Sequence, residues 1–179
     1  MNRVRLVFLL GLVVLVGGSL ISCGGVAENT PSWHLDQGKV LVAQGHYDDA
    51  VQECTKAIHL DPEFAQAYFW RAAAHYQMAK YTSAITDCSQ AIKLDTHLVE
   101  AYITRALAYC AGGQYDLAIT DCNTAIEINS GMRGIAYLYR GYVHSRKGEH
   151  DLAIADRDRA IEIDPDLVYR AMSVIYYIY

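Results

Sequence analysis

Between Ala65 and Met78, and again between Lys80 and Leu94, apolar and small residues recur at helical rather than alternating spacing, which predicts two consecutive helices. The same pattern returns along the chain. Ala50, Ala84, Ala118 and Ala153 fall in register, as do Ala57, Ala91, Ala125 and Ala160. An aromatic ring precedes the first alanine of each set, at Tyr47, Tyr81, Tyr115 and His150. After the second come Leu60-Asp61-Pro62, Leu94-Asp95-Thr96, Ile128-Asn129-Ser130 and Ile163-Asp164-Pro165. The spacings are 34, 34 and 35 residues, the last absorbed within Ser130-Gly131-Met132-Arg133-Gly134. Ala79-Lys80, Gly113-Gln114 and Gly148-Glu149 mark turns, so each unit is predicted to be a pair of antiparallel helices. Alanine at the crossings lets two backbones approach, and the ring at the start of each second helix wedges between them. One such hairpin cannot bury its faces alone. Four stacked hairpins bury a continuous core and form a curved solenoid whose concave wall is the row of first helices.

With these small, aromatic and turn positions in register, the chain resembles the tetratricopeptide repeat family over about three quarters of its length. The resemblance implies an all-α solenoid of four helix-turn-helix repeats at residues 31–64, 65–98, 99–132 and 134–167. Residues 168–179 follow as a C-terminal capping helix or a truncated fifth repeat. The aromatic expected at the fourth position is met by Tyr68, Tyr102 and Tyr137, with His34 in the first repeat. The seventh position, leucine in the family, carries Gln37, Arg71, Arg105 and Arg140. These arginines recur together with Asp87, Asp121 and Asp156 on the second helices, which suggests inter-helix charge pairs that set repeat register.

The N-terminus carries a different signal. Arg3 and Arg5 precede an almost unbroken apolar run from Leu6 to Ile21, interrupted by Gly11, Gly17 and Gly18 and shorter than the ~20 residues a spanning helix needs. Leu20-Ile21-Ser22-Cys23 resembles the lipobox of bacterial lipoproteins. That resemblance implies a signal peptide over residues 1–22, acylation of Cys23, and a lipidated tether over residues 23–30. The expected location is a lipid anchor on the extracytoplasmic face of the cell membrane. Gly24 rather than Asp after Cys23 leaves the outer membrane open if the source is a diderm bacterium. The seven residues from Gly24 to Thr30 reach at most about 25 Å, so a partner must lie close to the membrane surface.

The formal charge of −5, from 15 basic and 20 acidic residues, lacks the surplus of Lys and Arg that phosphate binding needs, so no nucleic-acid partner is expected. Cys54, Cys88 and Cys122 share one repeat position and read as small core residues. Cys110 lies on a first helix, where a disulfide to Cys88 or Cys122 is the weaker alternative. Neither a Cys-x-x-Cys nor a His-Glu-x-x-His arrangement occurs among the cysteines and seven histidines, so no metal or other cofactor is expected. His75 and His144 share a position held elsewhere by Leu41 and Tyr109, which favours core packing. There is no phosphate loop, dinucleotide fingerprint or Gly-x-Ser-x-Gly, and no catalytic residue is expected.

What the tetratricopeptide resemblance implies is protein binding. Carried over position by position, its peptide contacts fall on Leu35, Lys39, Phe69, Ala73, Tyr76, Ile103, Leu107, Leu138, Tyr142 and Arg146. Only Lys39 and Arg146 are basic, which disfavours the carboxylate clamp that captures chain termini in chaperone-binding members. The lining suits an apolar or amphipathic segment of an envelope partner instead. The expected function is a membrane-anchored, non-catalytic interaction scaffold. The alternative is a structural lipoprotein that self-associates through its apolar C-terminal segment.

Overall fold

The computed structural model describes residues 29–128 and 131–167. The signal segment, Cys23, most of the tether and the C-terminal segment 168–179 lie outside the described residues. Within them the chain is all α, and eight helices lie wholly inside the described residues: α1 (Pro31–Gln44), α2 (Tyr47–Leu60), α3 (Ala65–Gln77), α4 (Tyr81–Leu94), α5 (Val99–Ala111), α6 (Tyr115–Glu127), α7 (Arg133–Lys147) and α8 (His150–Ile163). Each odd-numbered helix packs antiparallel on the even-numbered helix that follows it. The odd helices also pack on one another, α1 on α3, α3 on α5 and α5 on α7, and so build one wall of the solenoid.

Local chemistry explains where the helices start and stop. Thr30 caps α1 by accepting a hydrogen bond from the Trp33 amide at 3.2 Å, and Pro31 occupies the first turn, where its missing N–H costs nothing. The turns inside the hairpins use a left-handed residue, Gly45 at φ 80°, Gly113 at φ 74° and Gly148 at φ 89°. In the second hairpin Ala79 takes that place at φ 56°, where its Cβ crowds the following carbonyl. Ala79→Gly is therefore expected to stabilise the fold by about 0.5–1 kcal/mol, read as a higher denaturation midpoint with an unchanged slope.

The hairpins close on small residues. Ala50, Ala84 and Ala118, and the second set Ala57, Ala91, Ala125 and Ala160, are fully buried. Gly38 and Gly141 occupy the position of Ala72 and Ala106. A methyl at Gly38 would stand 2.7 Å from the Cys54 sulfur, so the first hairpin is drawn tighter there.

The recurring charges form a ladder across the stack. Arg71, Arg105 and Arg140 each donate through Nε and Nη2 to both oxygens of Asp87, Asp121 and Asp156, at 2.6–2.8 Å. The remaining Nη1 reaches back to the second helix of the preceding repeat, where Thr55, Ser89 and Asn123 accept. Each guanidinium also lies over the ring of Tyr68, Tyr102 or Tyr137, 5.1–5.7 Å from its centre. One arginine thus ties together the two helices of its own repeat and the neighbouring repeat. In the first repeat, Gln37 and Glu53 stand where Arg and Asp recur elsewhere, and His34 Nδ1 pairs with Glu53 at 2.6 Å.

Candidate functional site

The concave wall formed by α1, α3, α5 and α7 divides the predicted contact residues into two groups. Leu35, Ile103 and Leu138 do not face an open groove. Leu35 is 2% exposed and packs with Ala57, Ala67 and Trp70. Ile103 joins the core with Val99, Ala125 and Ala136, and Leu138 joins Ala160 and Leu167. These three aliphatic side chains lie down into the seam between helices, where burial outweighs projection into water, whereas the larger ring of Phe69 at the same repeat position stays half-buried. These three correct the contact set that the resemblance implied.

The others remain on the surface of the wall or partly exposed. Lys39 pairs with Asp36 at 3.0 Å. Phe69 is half-buried and meets Trp70 edge to face at a centroid distance of 5.3 Å. Ala73 and Leu107 are half-buried, Tyr76 and Tyr142 likewise, and Arg146 is exposed. Cys23 lies outside the described residues.

Curvature gathers aromatic residues from separate repeats. Tyr76 packs its ring 5.7 Å from that of Tyr81. Burial, reinforced by Tyr142, Tyr81 and Tyr139 nearby, pushes the Tyr76 hydroxyl up to about 12. Burial raises the Tyr139 hydroxyl as well. Tyr139 was not among the predicted contacts, although its spacing of three from Tyr142 on α7 places both on adjoining faces of that helix. Beneath this patch Cys110, 1% exposed, packs with Ala106, Ala118, Cys122 and Val143.

The patch has a charged lip. Arg146 Nη1 donates to the Tyr142 hydroxyl at 2.8 Å, and its guanidinium carbon lies 5.8 Å from the centre of that ring. The helix that carries both, α7, has Arg133, Arg140, Arg146 and Lys147 and no acidic residue. Its neighbour α6 has Asp116, Asp121 and Glu127 and no basic one. Asp156 occupies Arg140, and Asp116 and Glu149 hold Lys147, which leaves the Arg146 guanidinium as the charge that borders the aromatic patch.

The cysteines form no disulfide among the described residues: Cys54, Cys88, Cys110 and Cys122 are all free and buried. Burial pushes the Cys54 and Cys122 thiols up to about 12 and raises those of Cys88 and Cys110. A raised thiol is a poor nucleophile. Folding holds these protons, and the Tyr76 proton, where the unfolded chain releases them near pH 8.5 and 10, so stability falls as pH rises from about 8.5 toward 12. Denaturant midpoints across that range should decline steadily, and Cys54→Ala with Cys122→Ala should flatten the decline. A thiol reagent should modify these four cysteines at the rate of unfolding.

His75 and His144 lie beside the arginine ladder, 3.8 Å from Asp87 and Asp156. Burial lowers the His75 pKa. Among the described residues no group of three or more His, Cys, Asp or Glu is arranged to hold a metal ion.

Sequence-family models of the TPR or tetratricopeptide repeat match residues 38–78, 65–97 and 103–168. No curated protein matches the chain. Solved structures do. The chain is similar to MamA at 28% identity and a TM-score of 0.68, over 80% of this chain and 83% of that one. It is similar at 25% identity to the first TPR of Spaghetti bound to the HSP90 peptide SRMEEVD, with a TM-score of 0.55 over 60% of this chain and 85% of that one. A thermophilic TPR protein in Thermus thermophilus, 22% identical, shares the fold with a TM-score of 0.69 over 75% of each chain.

Proposed function

Because this chain is built of tetratricopeptide repeats, we propose that it is a non-catalytic interaction scaffold that takes an apolar or amphipathic segment of a partner protein on its concave wall. The observation that carries this reading is the row Phe69, Tyr76, Leu107 and Tyr142 on three successive first helices, half-buried side chains whose remaining exposed surface offers apolar anchors. The peptide bound to the similar Spaghetti repeats supports the same use of the fold. The predicted lipobox adds an acylated Cys23 that tethers the scaffold to a membrane, within about 25 Å of its partner.

Crosslinking from native membranes tests the reading, with wild type compared to a Tyr76→Ala, Leu107→Ala, Tyr142→Ala variant of matched melting temperature. One envelope protein captured by the first and lost by the second supports the groove. An identical captured set overturns it. Cys23→Ala should release the protein from the membrane fraction, and unchanged fractionation would remove the lipid anchor from the reading.

A second reading has its own observation. On α8, Ile154 and Ile161 are 47% and 36% exposed, whereas their counterparts Ile119 and Ile126 on α6 are half-buried and packed. Self-association through this end predicts a size in solution that depends on residues 168–179. A monomer with or without them excludes it.

A further inference from the structure

We infer that the groove selects a segment bearing an Asp or Glu side chain beside its apolar anchor, with Arg146 and the Tyr142 hydroxyl receiving the carboxylate; this rests on the groove reading above. The arginines of the ladder cannot serve, since Asp87, Asp121 and Asp156 already occupy both of their parallel donors. Lys147 is likewise held, by Asp116 and Glu149 at 2.8 Å each. Arg146 differs from these. Its bond goes to a phenol, it pairs with no carboxylate among the described residues, and it is exposed at the edge of the Tyr76, Tyr139 and Tyr142 patch.

The chemistry is complementary in detail. A guanidinium that spends one N–H on a tyrosine oxygen keeps a fork of donors that fits the two oxygens of a carboxylate. The Tyr142 oxygen accepts from Arg146 and so keeps its own O–H to donate to the same ligand. Since α7 carries no acidic residue, nothing on that helix repels an incoming anion. The acidic residue of α5, Glu100, stands in the first turn of its helix, ten residues or about 15 Å of helix from Cys110 at the floor of the patch. A side-chain carboxylate is favoured over a chain terminus because a single arginine, with Lys39 three repeats away and tied to Asp36, offers none of the converging cations that terminus capture uses.

The test is selection of a displayed library of random 16-residue peptides on the full-length chain in detergent, once with the peptides' C-termini fused to the display protein and once with them free. The expected result is enrichment of Asp or Glu at a fixed offset from a Leu, Phe or Tyr anchor, equally in both libraries. A selected peptide and its Glu→Gln twin should then differ about tenfold in Kd at low salt, the discrimination one partly exposed pair of charge-assisted hydrogen bonds supplies. Arg146→Gln, a surface change that leaves the core intact, should bring the pair within about twofold while the apolar-dependent binding persists. Equal binding of the twins by wild type, a preference that survives Arg146→Gln, or enrichment confined to free C-termini would overturn the inference and leave the groove standing. Peptides indifferent to Tyr76→Ala and Leu107→Ala would overturn the groove itself.

Discussion

Arg105→Ala is expected to destabilise the solenoid by about 3–5 kcal/mol, because it strands a carboxylate that has little access to water. Asp121 is 5% exposed and receives both parallel hydrogen bonds of Arg105, at 2.7 and 2.8 Å. The substitution also frees Ser89 and uncovers the Tyr102 ring. At roughly 3 °C per kcal/mol for a chain of this size, the melting temperature should fall by about 10–15 °C. The double variant Arg105→Ala with Asp121→Ala should recover much of the loss, since it removes the stranded charge along with its partner. A melting temperature left unchanged by Arg105→Ala would sink the structural role of the ladder and point to a ligand role for these arginines. Position matters too. Arg105 lies in a central repeat, so its loss weakens an interior interface of a quasi-one-dimensional stack, and unfolding should become broader as well as earlier.

Leu35→Ala should cost about 2–5 kcal/mol, the range for a large aliphatic side chain removed from a packed interior. It is among the largest fully buried side chains, and it bridges α1, α2 and α3 through Ala57, Ala67 and Trp70. Small neighbours on two sides cannot swell to refill the space, so the cavity persists. Groove residue and core residue make opposite forecasts here. As core, Leu35→Ala lowers the denaturation midpoint and leaves peptide affinity unchanged once corrected for the folded fraction. A midpoint within about 0.5 kcal/mol of wild type, the scatter typical of surface changes, would return Leu35 to the groove.

Much of this fold was legible in the order of residues, and particular positions show why. The alanines repeating every 34 or 35 residues mark where backbones meet, and a backbone crossing accepts little else. Arg71, Arg105 and Arg140 stand a constant sixteen residues before Asp87, Asp121 and Asp156, and a hairpin with a fixed turn brings such positions together whatever surrounds them. The site was harder to read. Which of two neighbouring faces a leucine or isoleucine turns toward depends on how closely adjacent helices pack, and Leu35, Ile103 and Leu138 went to the seam. The third hydrogen bond of each ladder arginine crosses between repeats, and sequence spacing alone did not indicate Thr55, Ser89 or Asn123 as its acceptor.

The helical hairpin repeat and the charge pairing were readable from residue order alone, because each follows from spacing within about one repeat. What the concave wall presents depends instead on contacts between repeats. The rotation from one repeat to the next is set by the packing at every interface, and it accumulates along the stack. That accumulated rotation brings Tyr76 of the second repeat within electrostatic reach of Tyr139 and Tyr142 of the fourth. It also leaves Arg146 at their edge.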